Sequence, residues 1–247
     1  MPDKTLEERI QRLEDIHEIH NLMGRHEYFH SALLQAREIE ELFARDAPGV
    51  TFEMEGLGVW EGIEAVREVY AGGVAGLIKA HAAGMAATFP GRDLPHPAAG
   101  MMNEHLLTTP VIEVAEDGQT AKGAWNSPGA DAIAVNGRLT GHWIWVKYGI
   151  DFIKEDGRWK FWHFHIYSNF LTPFGQSWVE NALDEPGWDD PPADWPPAPR
   201  GNTLHEPYSL DRVPRLAPAP PEPYRTFAET WSYADSPAPQ DTPRDLP

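Results

Sequence analysis

The chain contains no cysteine, so it has no disulfide framework, no thiolate metal site and no cysteine nucleophile. Positive charge is scarce: 20 lysines and arginines stand against 38 aspartates and glutamates, for a net charge of −18 over 247 residues. Phosphate binding needs a basic face, so this balance argues against a nucleic-acid partner. It also gives little attraction to an anionic membrane surface. No apolar run approaches the roughly 20 residues of a membrane-spanning helix. The opening MPDKTLEERIQRLED is charged and helical, unlike a secretion signal. A soluble, cytoplasmic protein is expected. Hydrophobic residues make up 41% of the chain, enough for a real core. The length accommodates one sizeable domain plus an extension. Tryptophan is abundant, with 10 residues, and points to aromatic walls around something.

Along the first segment, Leu6, Ile10, Leu13, Ile16, Ile19 and Met23 recur at spacings of three and four, the helix period. Extending that stripe lands on His26 and His30. A second helix is predicted over residues 36–44, a short strand at VTFEM, and a helix after Trp60 with Ile63, Val66 and Tyr70 inward. Residues 84–99 are rich in Gly, Pro and Ala and read as a loop. Strand signals follow in HLLTTPVIEVA, TAKGAWNS, GHWIWVKYGIDFIKE and RWKFWHFHIYSNF, separated by the turns EDGQ and EDGR. Helices first and antiparallel strands after is the pattern of an α+β domain. Beyond Gln176 the composition turns to PGWDDPPADWPPAPRG and RLAPAPPEPYRTF. Such a stretch builds no core of its own, but its aromatics can anchor it to an existing surface in polyproline conformation. The expected division is a domain over residues 1–175 and a wrapping extension over 176–247.

Three constellations carry chemistry. His26-Glu27-Tyr28-Phe29-His30 matches H-E-x-x-H, which on a helix puts two imidazoles on one face and can bind zinc. A third ligand is wanting: Glu38, Glu40 and Glu41 are nearby, but too close in sequence to fold back comfortably. The alternative is a helix end whose histidines pack under the sheet. His105 opens a strand, where a histidine gains interest only if other polar groups converge on it. Finally, His163 and His165 stand two residues apart in an aromatic strand. Simple alternation puts Trp159, Phe161, His163, His165 and Tyr167 on one face. A β-bulge would exchange the faces. Burial disfavours charged imidazole, which would keep these two neutral and suited to proton transfer. Bonding to backbone or to a partner chain explains them equally well.

The long first helix, the helix introduced by GVWEG, the strand opening MNEHLLTTPVIEV and the closing hairpin IDFIKEDGRWKFWHF resemble the SnoaL-like branch of the nuclear transport factor 2-like superfamily, over about residues 5–175. The resemblance implies a cone: a curved antiparallel sheet wrapped around N-terminal helices and enclosing an apolar pocket, here with a Pro/Trp-rich C-terminal extension. It implies acid–base chemistry without metal or organic cofactor, as in scytalone dehydratase, ketosteroid isomerase and limonene epoxide hydrolase. Other members only bind or assemble, so fold alone does not settle function. The layout is most similar to scytalone dehydratase. On that likeness His105 takes the place of a catalytic histidine, Phe29-His30 that of a tyrosine–aspartate pair, and Tyr148 that of an asparagine. A second histidine of the dehydratase has no counterpart near Ala130.

The extension, with LHEPYSLDRV, looks like that of SnoaL-like lyases acting on lignin-derived diarylpropanes, which release formaldehyde and leave a stilbene. The expectation is therefore a cofactor-independent lyase or dehydratase acting on a bulky phenolic substrate. His105 would be the principal acid–base group, with His30 and Tyr148 orienting or relaying protons and His163 and His165 secondary. Tyr28, Phe29, Trp60, Asn103 and Asn126 would line the pocket. Partners would be a small aromatic substrate and, through the extension, further copies of the chain in a dimer or trimer. A zinc hydrolase built on HEYFH and a non-catalytic binding module are the alternatives.

Overall fold

The computed structural model describes residues 4–54, 56–134, 137–184, 195–204 and 206–235. Helix α1 (Leu6–Ser31) starts at a capping box. Thr5 Oγ1 accepts from the Glu8 amide at 3.2 Å and Glu8 Oε2 accepts from the Thr5 amide at 2.7 Å. The pair satisfies amide groups that a helix start leaves open. The helix buries Asp15, Ile19, Leu22, Met23 and His26. Leu6, Ile10 and Leu13 are exposed, although their period places them on the buried stripe. The apolar layer beneath the helix begins only near Asp15, whose Oδ1 accepts from Lys154 Nζ at 2.8 Å and Trp159 Nε1 at 3.0 Å.

Leu33, at φ 58, reverses the chain after α1, and the Leu34 amide donates to Phe29 O at 2.8 Å. Helix α2 (Gln35–Leu42) therefore folds straight back, burying Gln35, Glu38, Ile39 and Leu42. Strands β1 (Thr51–Met54) and β2 (Gly58–Glu61) follow, then α3 (Ile63–Arg67), a π-helical turn (Glu68–Gly72) and α4 (Gly73–Thr88). Helix α4 runs into the stretch expected to be a loop. Two contacts hold it there. Gly84 lies so close to the Ala134 carbonyl that a Cβ would sit 1.9 Å from its oxygen. His81 accepts from the Ala134 amide at 2.9 Å and donates to Ala99 O at 3.0 Å.

The sheet is completed by β3 (Met102–His105), β4 (Thr108–Val114), β5 (Thr120–Ile133), β6 (Thr140–Glu155) and β7 (Arg158–Pro173). Its order is β2-β1-β7-β6-β5-β3, with β4 also on β5. It curves over the helices without closing. All pairings are antiparallel except β1 with β7, which is parallel. The single strand expected at HLLTTPVIEVA is broken into β3 and β4. Thr109 has φ 49 and the register slips between Thr108 and Val111, around Pro110, which has no amide to give a ladder. Asp156 and Gly157, both with positive φ (49 and 72), make the tight turn between β6 and β7.

A bulge in β7 decides which side chains meet the helices. Asp151 pairs with His163 and Phe152 with Phe161, so Trp162 is the extra residue. Phe161, Phe164 and Ile166 turn inward into the core with Phe43, Phe52 and Phe152. His163, His165 and Tyr167 turn outward. Simple alternation, which groups Phe161 with His163, fails at this one residue.

The described part of the extension runs from the β2 edge of the sheet onto that outer side. Arg200 O accepts from the Val59 amide at 2.9 Å, and Tyr208 N donates to Asn169 O at 2.6 Å. Tyr233 packs its ring on Gly149, where a Cβ would come within 2.5 Å of it. Lys122, fully buried, lies 4.6 Å and 4.7 Å from the rings of Phe227 and Trp231, with Tyr224 and Tyr233 slightly farther. Residues 185–194 and 236–247 of the extension, and His205 within LHEPYSLDRV, lie outside the described residues. Among the described residues no helix is long and apolar enough to cross a membrane.

Candidate active site

A cavity of about 140 Å³ lies between the helices and the concave face of the sheet. Its walls are mostly apolar: Phe52, Leu57, Val74, Leu77, Ile133, Ile144, Val146 and Ile166. Polar side chains reach it from separate elements: His30 from the end of α1, Tyr70 from the π-helical turn, Asn103 and His105 from β3, Asp131 from β5 and Tyr148 from β6. Trp195 of the extension closes one wall.

Of the site residues expected from sequence, the fold brings His30, Asn103, His105 and Tyr148 together here. The others stand elsewhere. His163 Nδ1 bonds to Asp151 Oδ2 at 2.9 Å on the outer face, beside Ser232. His165 donates from Nδ1 to Tyr233 O at 3.1 Å, stacks on Tyr167 at 3.7 Å and turns Nε2 toward Glu53, 3.4 Å away. The bulge at Trp162 is the cause. Tyr28 is 81% exposed on the far side of α1. Phe29 lies under the Arg37 guanidinium, 4.6 Å from it. Trp60 is a core residue packed on Phe52. Asn126 bonds Thr109 Oγ1 at 2.8 Å.

His30 and His105 approach each other at 5.4 Å between ring centres. His105 Nε2 donates to Asn103 Oδ1 at 3.1 Å, which leaves Nδ1 the basic nitrogen, and among the described residues nothing bonds it. Gly129 makes room for the ring: a Cβ there would stand 3.1 Å from Nδ1. Burial, then the charge of His26, lowers the His105 pKa to about 4. His30 accepts from Gln35 Nε2 at 3.3 Å. Burial, then His26 and His105, holds its pKa well below the ordinary value. Both imidazoles are therefore neutral near pH 7.

Behind them sits a charged layer that sequence reading did not assemble. His26 Nδ1 bonds Glu38 Oε1, and Tyr70 donates to the same oxygen at 2.7 Å. Sequence spacing made Glu38 seem too close to fold back; the left-handed Leu33 is what lets it. Burial opposes the His26 imidazolium, but Glu38 and then Glu27 outweigh it and raise its pKa. Glu27 lies 3.7 Å from His26 Nε2. Neither of its oxygens has a well-aligned partner among the described residues. Burial raises its pKa to about 7, against the opposing pull of His26 and the Tyr148 hydroxyl. Burial, then Glu27, pushes Tyr148 well above its ordinary value, so its hydroxyl keeps its proton.

The HEYFH side chains are turned to other partners. Among the described residues no group of three His, Asp or Glu side chains is arranged to hold a metal ion. His26 is spent on Glu38, and Glu27 turns toward Tyr148. Sequence signals for this layer were thin. Glu27 was legible only as part of that motif, His26 through it and the apolar stripe of α1, and Tyr70 only as an inward residue; nothing local marked Asp131.

A curved sheet over N-terminal helices with a lined concavity is the nuclear transport factor 2-like cone. The sequence model of the SnoaL-like domain matches residues 11–165, and the chain belongs to that family. Among solved structures, a type 2 hexachlorocyclohexane dehydrochlorinase shares 17% identity, with a TM-score of 0.50 over 67% of this chain and 93% of its own. The type 3 enzyme from Novosphingobium barchaimii shares 16%, with a TM-score of 0.49 over 68% and 96%. A protein provisionally named scytalone dehydratase from Novosphingobium aromaticivorans shares 15%, with a TM-score of 0.47 over 68% and 99%. At these identities the likeness concerns the fold. No curated protein matches the chain.

Proposed function

We propose that the protein is a cofactor-independent lyase of the dehydratase kind, acting by general acid–base chemistry on a phenol with a hydroxylated side chain. One observation supports this above the rest. Neutral imidazoles and a protonated hydroxyl meet in a single apolar cavity, with an acid of pKa about 7 behind the hydroxyl. Elimination needs both a proton donor and a base in a site shielded from water, and Glu27 supplies an acid near working pH behind the donor.

His105, neutral, is the base. Tyr148 is the donor and Glu27 its reserve, with His26 and Glu38 fixing the charge around them. A benzylic hydroxyl takes a proton from Tyr148 and leaves as water, while the phenol gives its proton to His30, the other neutral imidazole of the cavity, and the ring becomes a quinone methide. In the finer form of the proposal the substrate is a lignin-derived diarylpropanediol. His105 then takes the proton of the side-chain primary alcohol, the bond to its carbon breaks, and formaldehyde departs. The electron pair of that bond forms the stilbene double bond and restores the aromatic ring. A cavity near 140 Å³ matches one aromatic ring, since an engineered cavity of about 150 Å³ takes up benzene. The phenolic ring and its reacting carbons are the part that enters.

Incubation with phenolic diarylpropanediols tests the finer form, by formaldehyde release and stilbene absorbance. Water loss from simpler 4-hydroxybenzylic alcohols, without formaldehyde from the larger ones, would keep the coarser form only. No turnover of either would end both.

A further inference from the structure

Trp195 is an unusual member of the site, because it arrives from the Pro-rich extension rather than from the cone. Its placement is built on both sides. The benzo edge of the indole rests on Gly73, where a Cβ would come within 2.8 Å of Cη2 and 2.9 Å of Cζ3. Gly73 has ordinary helical angles as the residue capping the π-helical turn (φ −57, ψ −44). The glycine therefore serves space and not backbone freedom, although glycine is disfavoured in a helix relative to alanine.

Just after Trp195 the chain is pinned to the β1–β2 hairpin. Gly58 leaves room for Ala198 and the Arg200 carbonyl, which a Cβ would meet at 2.4 Å and 2.6 Å. Asn202 Nδ2 donates to Met54 O at 2.9 Å and its Oδ1 accepts from the Gly56 amide at 3.0 Å. Thr203 N and Oγ1 donate to Glu53 Oε1 at 2.7 Å and 2.9 Å. The indole is thus held rigidly against the cavity. Its Nε1–H is buried and unbonded among the described residues, an open donor of a kind that usually finds a partner.

We infer that Trp195 is a specificity-determining residue. Its ring is the wall that limits the cavity to one aromatic ring, and its N–H meets an oxygen on the side chain of the bound phenol. The inference rests on the phenolic reading of the site and adds what selects among phenols.

Calorimetric titration of the full chain separates the two. The probes are 4-hydroxybenzyl alcohol, 4-ethylphenol, which lacks the side-chain oxygen, and a phenolic diarylpropanediol. Trp195→Ala should shift the preference toward the two-ring ligand at least about tenfold, as a pocket enlarged by a ring takes in the second ring that the unaltered site leaves outside. Trp195→Phe, which keeps a ring on Gly73, should weaken 4-hydroxybenzyl alcohol about tenfold through the lost hydrogen bond and leave 4-ethylphenol unchanged. Thermal denaturation confirms that each variant folds, and Trp195→Phe decides the matter if Trp195→Ala does not. Unchanged affinities in Trp195→Phe across the panel would overturn the inference. So would selective weakening of the two-ring ligand by Trp195→Ala, the behaviour of a stacking platform. If the unaltered protein binds none of the three, the phenolic reading falls and takes this inference with it.

Discussion

Two pairs of histidines stand on either side of one sheet, the inner pair half-buried and the outer pair buried. On the concave face, His30 and His105 line a cavity and are kept neutral by burial. On the convex face, His163 is tied to Asp151 and Ser232, and His165 to Tyr233 O with Tyr167 stacked on it. His165 is also kept neutral, its pKa lowered to about 3 chiefly by burial. A lowered pKa therefore does not separate the pairs. What differs is the surroundings: the outer rings are packed against carboxylates and the extension, the inner ones against empty apolar space. A buried imidazole does chemistry only where a ligand can reach it.

The sharpest way to break that contrast is substitution on each face. His105→Ala should lower kcat/KM by about 10²–10⁴, the usual share of one acid–base group, with little change in melting temperature. His163→Ala should leave the rate of the folded protein near normal. Equal losses from both would erase the distinction between faces.

Next in size is the anchor of the convex face. Asp151 accepts from Lys122 Nζ at 2.7 Å, His163 Nδ1 and the Tyr233 amide at 2.9 Å, and Ser232 Oγ at 2.7 Å. Burial works against both partners of the ion pair. It pulls Lys122 below its ordinary value, but at Asp151 the donors prevail and its pKa lies below the usual carboxylate range. Four donors on one carboxylate outweigh a single desolvated ammonium, so the pair is ionised. Asp151→Ala strands a buried charge and should cost about 3–5 kcal/mol in urea denaturation. A loss under 1 kcal/mol would mean the outer network is dispensable. The depressed carboxylate also stabilises the fold above its unfolded pKa near 3.8, a contribution lost as pH falls through the lower folded value.

The smallest effect is in pH. Glu27, at about 7 in the fold against 4.5 in the open chain, favours folding below pH 4.5, and this stability is lost as pH rises through 7. His105 is the reverse: at about 4 against 6.5, it adds stability above pH 6.5 that is lost as pH falls through 4. With Glu27 as proton reserve and His105 as base, kcat/KM should be level between about pH 4 and 7 and fall on the alkaline side. Glu27→Gln should remove that alkaline fall while lowering the plateau. An alkaline limb unchanged in Glu27→Gln would exclude Glu27 from the proton path and leave Tyr148 alone.

Much of the architecture was readable before the coordinates, because it rests on local pattern. The spacing of Ile16, Ile19 and Met23, the EDGR turn and the alternation along β6 each report one element's own preference. His105 was legible because it opens a strand in a chain resembling a known cone. Tyr70 was legible only as an inward residue and Glu38 only as an acid near HEYFH, and Asp131 not at all, since each is one polar residue in a segment that looks like any other. Only the close return at Leu33 brings Glu38 to His26, and only the bulge at Trp162 sends His163 and His165 away from the cavity.

By itself, then, the sequence determined the helices, the strands, the family and the absence of thiol chemistry, for these follow from composition and short-range periodicity. The tertiary structure alone decided which histidines face the cavity, which acid meets His26 and which tryptophan closes the wall. Those outcomes turn on one inserted residue in a strand, one residue of positive φ between two helices and one glycine on α4. Each is a small local event, and its effect is felt only where distant parts of the chain meet.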